Sequence, residues 1–510
     1  MRSRILLSKT ILLIFCTLFL LSSNIIPAAE NPNFAEVEKK LDEGGDLYFY
    51  MNLKDGFREF FGLIQDMAVR ESTSPGIKRV FDSIDEILEK LGLYEIGDIG
   101  MSSLKVEDYY ISRSFVRIPE MSSGLYPVFG TTPHEFHSLQ YAPENASVYL
   151  TSDLDVIRLY RLIRGIVRES SPEKVQNFDR AIARFNKNIA AMGFPDIDLE
   201  TLLNSLGDNV SVITDFHPEY KTSIPSKGKP LQIKTPRFAL VFKTRDDKLF
   251  SVIYTLLQQS NMIINEESNE EYHSFGIRTP PNPFYPAFPA VGYHKNHLIV
   301  STHSGLVKNM LDSAENGDGL IKNSEYREMT RDFPEKGNGM IYFSRHGIKD
   351  YVEIFNELAA NQITGDRWEI SLESGELASN IEMGLASVRI SEADGILIVA
   401  KQSGIRPATN FASWAMAGGI IGAVMVPGFL RANQQSHLSS CRENLLKIDG
   451  AKEQWALEFN KARGAEVKLE ELCGPDKYLY RTPVCPRGGE YIVGKIGEDP
   501  QCTCGAEMPR

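Results

Sequence analysis

Residues 148–170 read VYLTSDLDVIRLYRLIRGIVRES. Val148 and Leu150 alternate with their neighbours as a strand does, and Leu159, Leu162 and Ile166 then fall on one face of a helix. The helix ends in Val-Arg-Glu-Ser at 167–170, and the same four residues stand 98 positions earlier, at 69–72. Around that earlier copy, Tyr48 and Tyr50 form the strand and Phe57, Phe61, Ile64 and Ala68 the helical stripe. The offset carries into the next helix, where Ile84, Ile87 and Leu91 correspond to Ile182, Phe185 and Ile189. An offset of 98 through two helices, each pair preceded by a strand, predicts duplication of one folding unit, residues 46–116 and 146–216, with Ile84 and Ile182 in equivalent buried positions.

Downstream the same order recurs in other registers. Phe238 to Thr244 reads as a strand before a helix through Leu249, Ile253 and Leu256. His297 to Thr302 precedes Val307, Met310 and Leu311; Met340 to Phe343 precedes Ile348, Val352, Phe355 and Leu358. Ala386 to Ile390 and Gly395 to Lys401, separated by Ser-Glu-Ala-Asp, read as a hairpin. The expected fold is therefore α+β, with a duplicated region at 30–236 and further strand-helix units at 237–402. Across residues 45–400 this layout resembles uncharacterised bacterial envelope proteins built of repeated strand-helix units.

The 510 residues carry 55 Lys and Arg against 67 Asp and Glu, a net charge of −12. That balance, without a basic patch, repels phosphate backbones and excludes a nucleic-acid partner. With 42% apolar and 24% charged residues the chain has ordinary globular composition, which excludes disorder over most of its length. Arg2, Arg4 and Lys9 precede an uncharged stretch centred on Ile11 to Leu21, followed by Pro27, Ala28 and Ala29. That order reads as a signal peptide, residues 1–29, cleaved at Ala28 or Ala29.

Motifs for chemistry are sparse. His134 and His137 are three apart where a zincin helix needs four, and they read as a solvated loop beside Pro133. Asp198 is expected to cap the helix that begins near Leu199. No Gly-x-Ser-x-Gly elbow and no Gly-Lys-Ser/Thr triplet occurs, and no cysteine lies between Cys16 and Cys441. No catalytic, cofactor-binding or metal-ligating residues are assigned on this basis.

Residues 407–430 are uncharged and long enough to span a membrane as a helix, with Gly418 and Gly422 suited to close helix packing. The following tail, 431–510, holds Cys441-x-x-Asn444-Leu445-x-x-Ile448-Asp449-x-Ala451-Lys452-x-x-Trp455, then Cys485-Pro486-x-Gly488-Gly489-x-Tyr491 and Pro500-x-Cys502. These residues resemble the globular part of pseudopilin-like proteins, related to the major pseudopilin of type II secretion, and 420–432 resembles the pilin helix with its proline exit. The resemblance implies a small pseudopilin-like α+β tail and partners in secretion or pilus-like machinery. A cleaved signal peptide followed by one spanning helix puts the tail in the cytoplasm. The tail's extracytoplasmic relatives and its five cysteines argue for an oxidising compartment and a Cys485–Cys502 disulfide, worth about 3 kcal/mol. Cys441, Cys473 and Cys504 would then remain, an odd number. The expectation is a non-enzymatic, inner-membrane-anchored envelope protein with its main domain extracytoplasmic. The competing reading is an extracytoplasmic ligand-binding module or hydrolase with a site in 45–400.

Overall fold

The structure, a computed structural model, describes residues 33–403 and 441–503, apart from 53–57, 60, 63–64, 66–76, 171, 225–230, 280–286, 361–382, 442–443, 475–476, 480–481, 484 and 486–489. By internal contacts the chain divides at residue 407 into two compact units. The first is built on one 13-stranded sheet. In chain order its strands are β1 (Leu47–Asn52), β2 (Asp98–Val106), β3 (Tyr109–Arg117), β4 (Val148–Asp153), β5 (Leu206–Ile224), β6 (Leu231–Thr244) and β7 (Ile263–Ser268). They continue as β8 (Tyr272–Ile277), β9 (Ala290–His294), β10 (His297–Ser301), β11 (Gly339–Phe343), β12 (Leu385–Glu392) and β13 (Gly395–Ser403). Their spatial order is β1-β2-β3-β13-β12-β11-β4-β5-β6-β10-β9-β8-β7, and each neighbouring pair is antiparallel.

Period-two alternation gives the sheet two apolar faces over its β6, β9 and β10 strands. Val241 and Ile299 point into a core with Leu306, Val307, Met310 and Leu311 of the helix Ser304–Asn316. Their neighbours Phe242 and Leu298 point the other way, toward Phe250 of the helix Lys248–Gln259. The helix Phe34–Glu38 sets Val37 against Phe115, Val388 and Val399 on β3, β12 and β13. At one edge β7 breaks register between Ile264 and Glu267, with Asn265 at φ 50° and Glu266 and Glu267 exposed.

This corrects the expected fold of duplicated α+β units. β1 lies at the sheet edge beside β2 alone, whereas β4 is central, between β5 and β11. Ile84 is 37% exposed and Ile182 only half-buried, so the expected equivalent core positions do not exist. The helices Val156–Ser170, Pro172–Ala191 and Leu199–Ser205 lie between β4 and β5, and among the described residues Ile77–Lys90 lies between β1 and β2, after helical residues at 58–65. The repeated pattern is strand, helix, returning antiparallel strand, and its copies occupy different places in a single sheet.

Among the described residues no helix is long and apolar enough to cross a membrane. The expected hydrophobic helix at 407–430, like the signal peptide with Ala28 and Ala29, lies outside them. The second unit has a helix over 444–458, with Cys441 also helical, and a two-stranded ribbon of Tyr491–Ile492 and Gln501–Cys502. Its core joins Ile448, Ala451 and Trp455 to Val467, Leu472 and Val493. Lys452 is 1% exposed; its Nζ donates to the carbonyls of Val493 (3.2 Å) and Glu498 and lies 3.3 Å from Asp449 Oδ1.

Candidate functional site

Clusters of polar or reactive side chains lie in the interior of each unit. The first sits at the end of β4. Asp153 accepts from His134 Nε2 at 2.7 Å and Asn209 Nδ2 at 3.2 Å on one carboxylate oxygen, and from Asn338 Nδ2 at 2.9 Å on the other. Gly130 makes this closure possible: at φ 79°, a Cβ there would lie 2.1 Å from Asp153 Oδ2. Asn338 also donates to Thr132 O and accepts from the Ser391 amide, and Arg389 donates to the carbonyls of Phe129 and Asn338. Burial lowers the pKa of Arg389.

His134 Nδ1 faces the Glu135 carbonyl at 2.8 Å, an acceptor, so that nitrogen carries a proton. The hydrogen bond to Asp153 raises the pKa of the ring above its ordinary value, against the opposing effect of burial. This corrects the solvated-loop reading: His134 is tied into the sheet, also through a backbone bridge to Gly337. Beside it, Ser211 Oγ lies 2.6 Å from Ser138 Oγ and 2.8 Å from Thr151 Oγ1, and Thr151 donates to Asn209 Oδ1. A cleft of about 280 Å³ beside His137 is lined by Phe136, Leu139, Gln140 and Ser313 and by no carboxylate. Another, of about 420 Å³, holds Glu120, Arg158 and Glu392, with Glu392 ion-paired to Lys40.

A histidine pair closes the β9–β10 hairpin, whose turn residues Lys295 and Asn296 have φ of 44° and 60°. Tyr141 Oη lies 3.1 Å from His294 Nδ1 and 3.2 Å from His297 Nδ1. Burial pushes His297 down to about 4 and lowers His294 as well.

The second cluster, in the C-terminal unit, consists of thiols. Cys441 at the head of the helix, Cys485 in a loop and Cys502 on the ribbon are buried, and their sulfurs all lie within 4.8 Å of one another. Cys441 and Cys485 sulfurs are 3.7 Å apart. Tyr491 donates its hydroxyl to Cys441 Sγ at 3.5 Å and accepts from Asn444 Nδ2 at 3.0 Å. Burial, then the bond to Cys441, raises the tyrosine pKa and keeps the phenol protonated. Cys473 lies elsewhere, partly exposed, its thiol pushed up by burial.

The structure thus brings the two expected disulfide partners, Cys485 and Cys502, into one cluster and adds Cys441 to it. Among the described residues this is the one group of three metal-ligating side chains so close together. Cys441 opens the tail pattern that begins Cys441-x-x-Asn444-Leu445, but nothing in its spacing showed convergence with Cys485 and Cys502, 44 and 61 positions away. Asp198 caps the helix Leu199–Ser205, accepting from the Thr201 amide at 2.7 Å as expected. Compared with protein-family models, curated proteins and solved structures, the chain matches none.

Proposed function

We propose that the protein is a non-enzymatic component of the bacterial cell envelope, with a structural or interaction role and a C-terminal tail that engages secretion or pilus-like machinery. The observation that carries this reading is the polar centre at Asp153. Its donors and acceptors bond to one another, to the carbonyls of Phe129, Thr132 and Asn338 and to the Ser391 amide of β12, an arrangement that stiffens a sheet. The leader-like start, the uncharged run at 407–430 and the cysteine-bearing tail support the envelope setting. Affinity purification of the full-length protein from detergent-extracted membranes tests it. Secretion or pilus-like proteins should co-purify and be lost when residues 431–510 are deleted. Recovery of the chain alone, or release of the full-length protein from membranes by carbonate, would sink the reading.

A further inference from the structure

We infer that Cys441, Cys485 and Cys502 are thiolate ligands of a zinc ion that staples the C-terminal unit together. A tetrahedral zinc–thiolate site with bonds of about 2.3 Å places its sulfurs about 3.8 Å apart. Cys441 and Cys485 sulfurs stand at 3.7 Å, and the third lies within 4.8 Å of both. A disulfide instead needs about 2.0 Å and joins only two of three converging sulfurs, leaving the third pressed against the bridge.

The surroundings suit the charged form. The phenol of Tyr491, itself oriented by Asn444, directs its hydroxyl at Cys441 Sγ, the kind of outer donor that orients a metal ligand and offsets its negative charge. The three sulfurs come from a helix, a loop and a strand, so one ion ties together elements whose shared apolar cluster, among the described residues, is Cys441, Leu445, Cys485 and Cys502 with Tyr491 beside them. Units this small commonly depend on a metal or a bridge for stability. Binding releases the thiol protons to solvent as zinc–sulfur bonds form, and nothing is oxidised or reduced. The fourth position of the tetrahedron is left to water or a further donor.

The test uses full-length protein purified in detergent. Its zinc content by elemental analysis should be about one ion per chain, and cobalt exchange should give sulfur-to-cobalt charge-transfer absorption. C441S, C485S and C502S should each abolish that absorption, while C473S retains it. Y491F should shift the charge-transfer band and weaken zinc affinity about tenfold. Because the wild-type metal content and cobalt spectrum need no variant, unfolding of a serine variant does not mask the result. A Cys485–Cys502 disulfide in non-reduced peptide maps, or a folded chain without stoichiometric zinc and without a cobalt–thiolate spectrum, would overturn the inference.

Discussion

Arg237 and Asp215 show how much one buried pair can carry. They face each other across β5 and β6, with Arg237 Nε donating to Asp215 Oδ1 at 2.7 Å and Nη2 to Oδ2, and neither side chain reaches solvent. Asp215→Ala strands the guanidinium in the interior and should cost about 3–5 kcal/mol of unfolding free energy, seen as a lower urea midpoint. His297 gives a pH dependence of definite sign. Its folded-state pKa of about 4 lies below the unfolded value near 6.5, so the unfolded chain takes up the proton first. Stability is full above about pH 6.5 and falls by up to about 3 kcal/mol as pH drops toward 4. His297→Gln should flatten that part of the curve; an unchanged acid limb would remove His297 as its source. His134 has the opposite sign. Its raised pKa contributes stability below the unfolded value that fades as pH rises through the folded one, so the His134→Gln deficit should shrink at alkaline pH.

Elements were the scale at which sequence reading worked best, because their signals are local. The expected strand at Phe238–Thr244 falls in β6, Met340–Phe343 in β11, and the Ser-Glu-Ala-Asp turn joins β12 to β13. Order in the sheet was not legible: β13 lies against β3, pairing Gly395 with Arg117, and no periodicity encodes a partner so distant in the chain. The duplication misled for the same reason. Ile84 and Ile182 share a local pattern but not a tertiary environment, and environment decides burial. The polar centre was equally hidden, since Asp153, Asn338 and Arg389 meet only when β4, β11 and β12 become neighbours. In the C-terminal unit the buried Lys452 makes a sharper element-scale prediction. Lys452→Met leaves the Val493 and Glu498 carbonyls without their charged donor and should destabilise that unit by about 1.5–3 kcal/mol, measurable by denaturant titration with Trp455 fluorescence.

For the whole molecule, the two units have separate cores, the sheet around Tyr149, Ile213 and Val241 and the small unit around Ile448 and Trp455. Calorimetry should resolve two transitions. A chelator should lower only the one that Lys452→Met also lowers; a shift of both would mean that the units melt as one. An open sheet of this width also has ends, and β7 is one of them. Its register break, Asn265 in a left-handed conformation, and the exposed Glu266 and Glu267 spoil the straight row of amide and carbonyl groups that another chain would need. Copies held at high density on a surface therefore meet a blunted, like-charged rim there instead of a template for growth. Glu266→Val with Glu267→Val should turn that rim into a seed for fibrillar self-association, detectable by sedimentation and thioflavin binding.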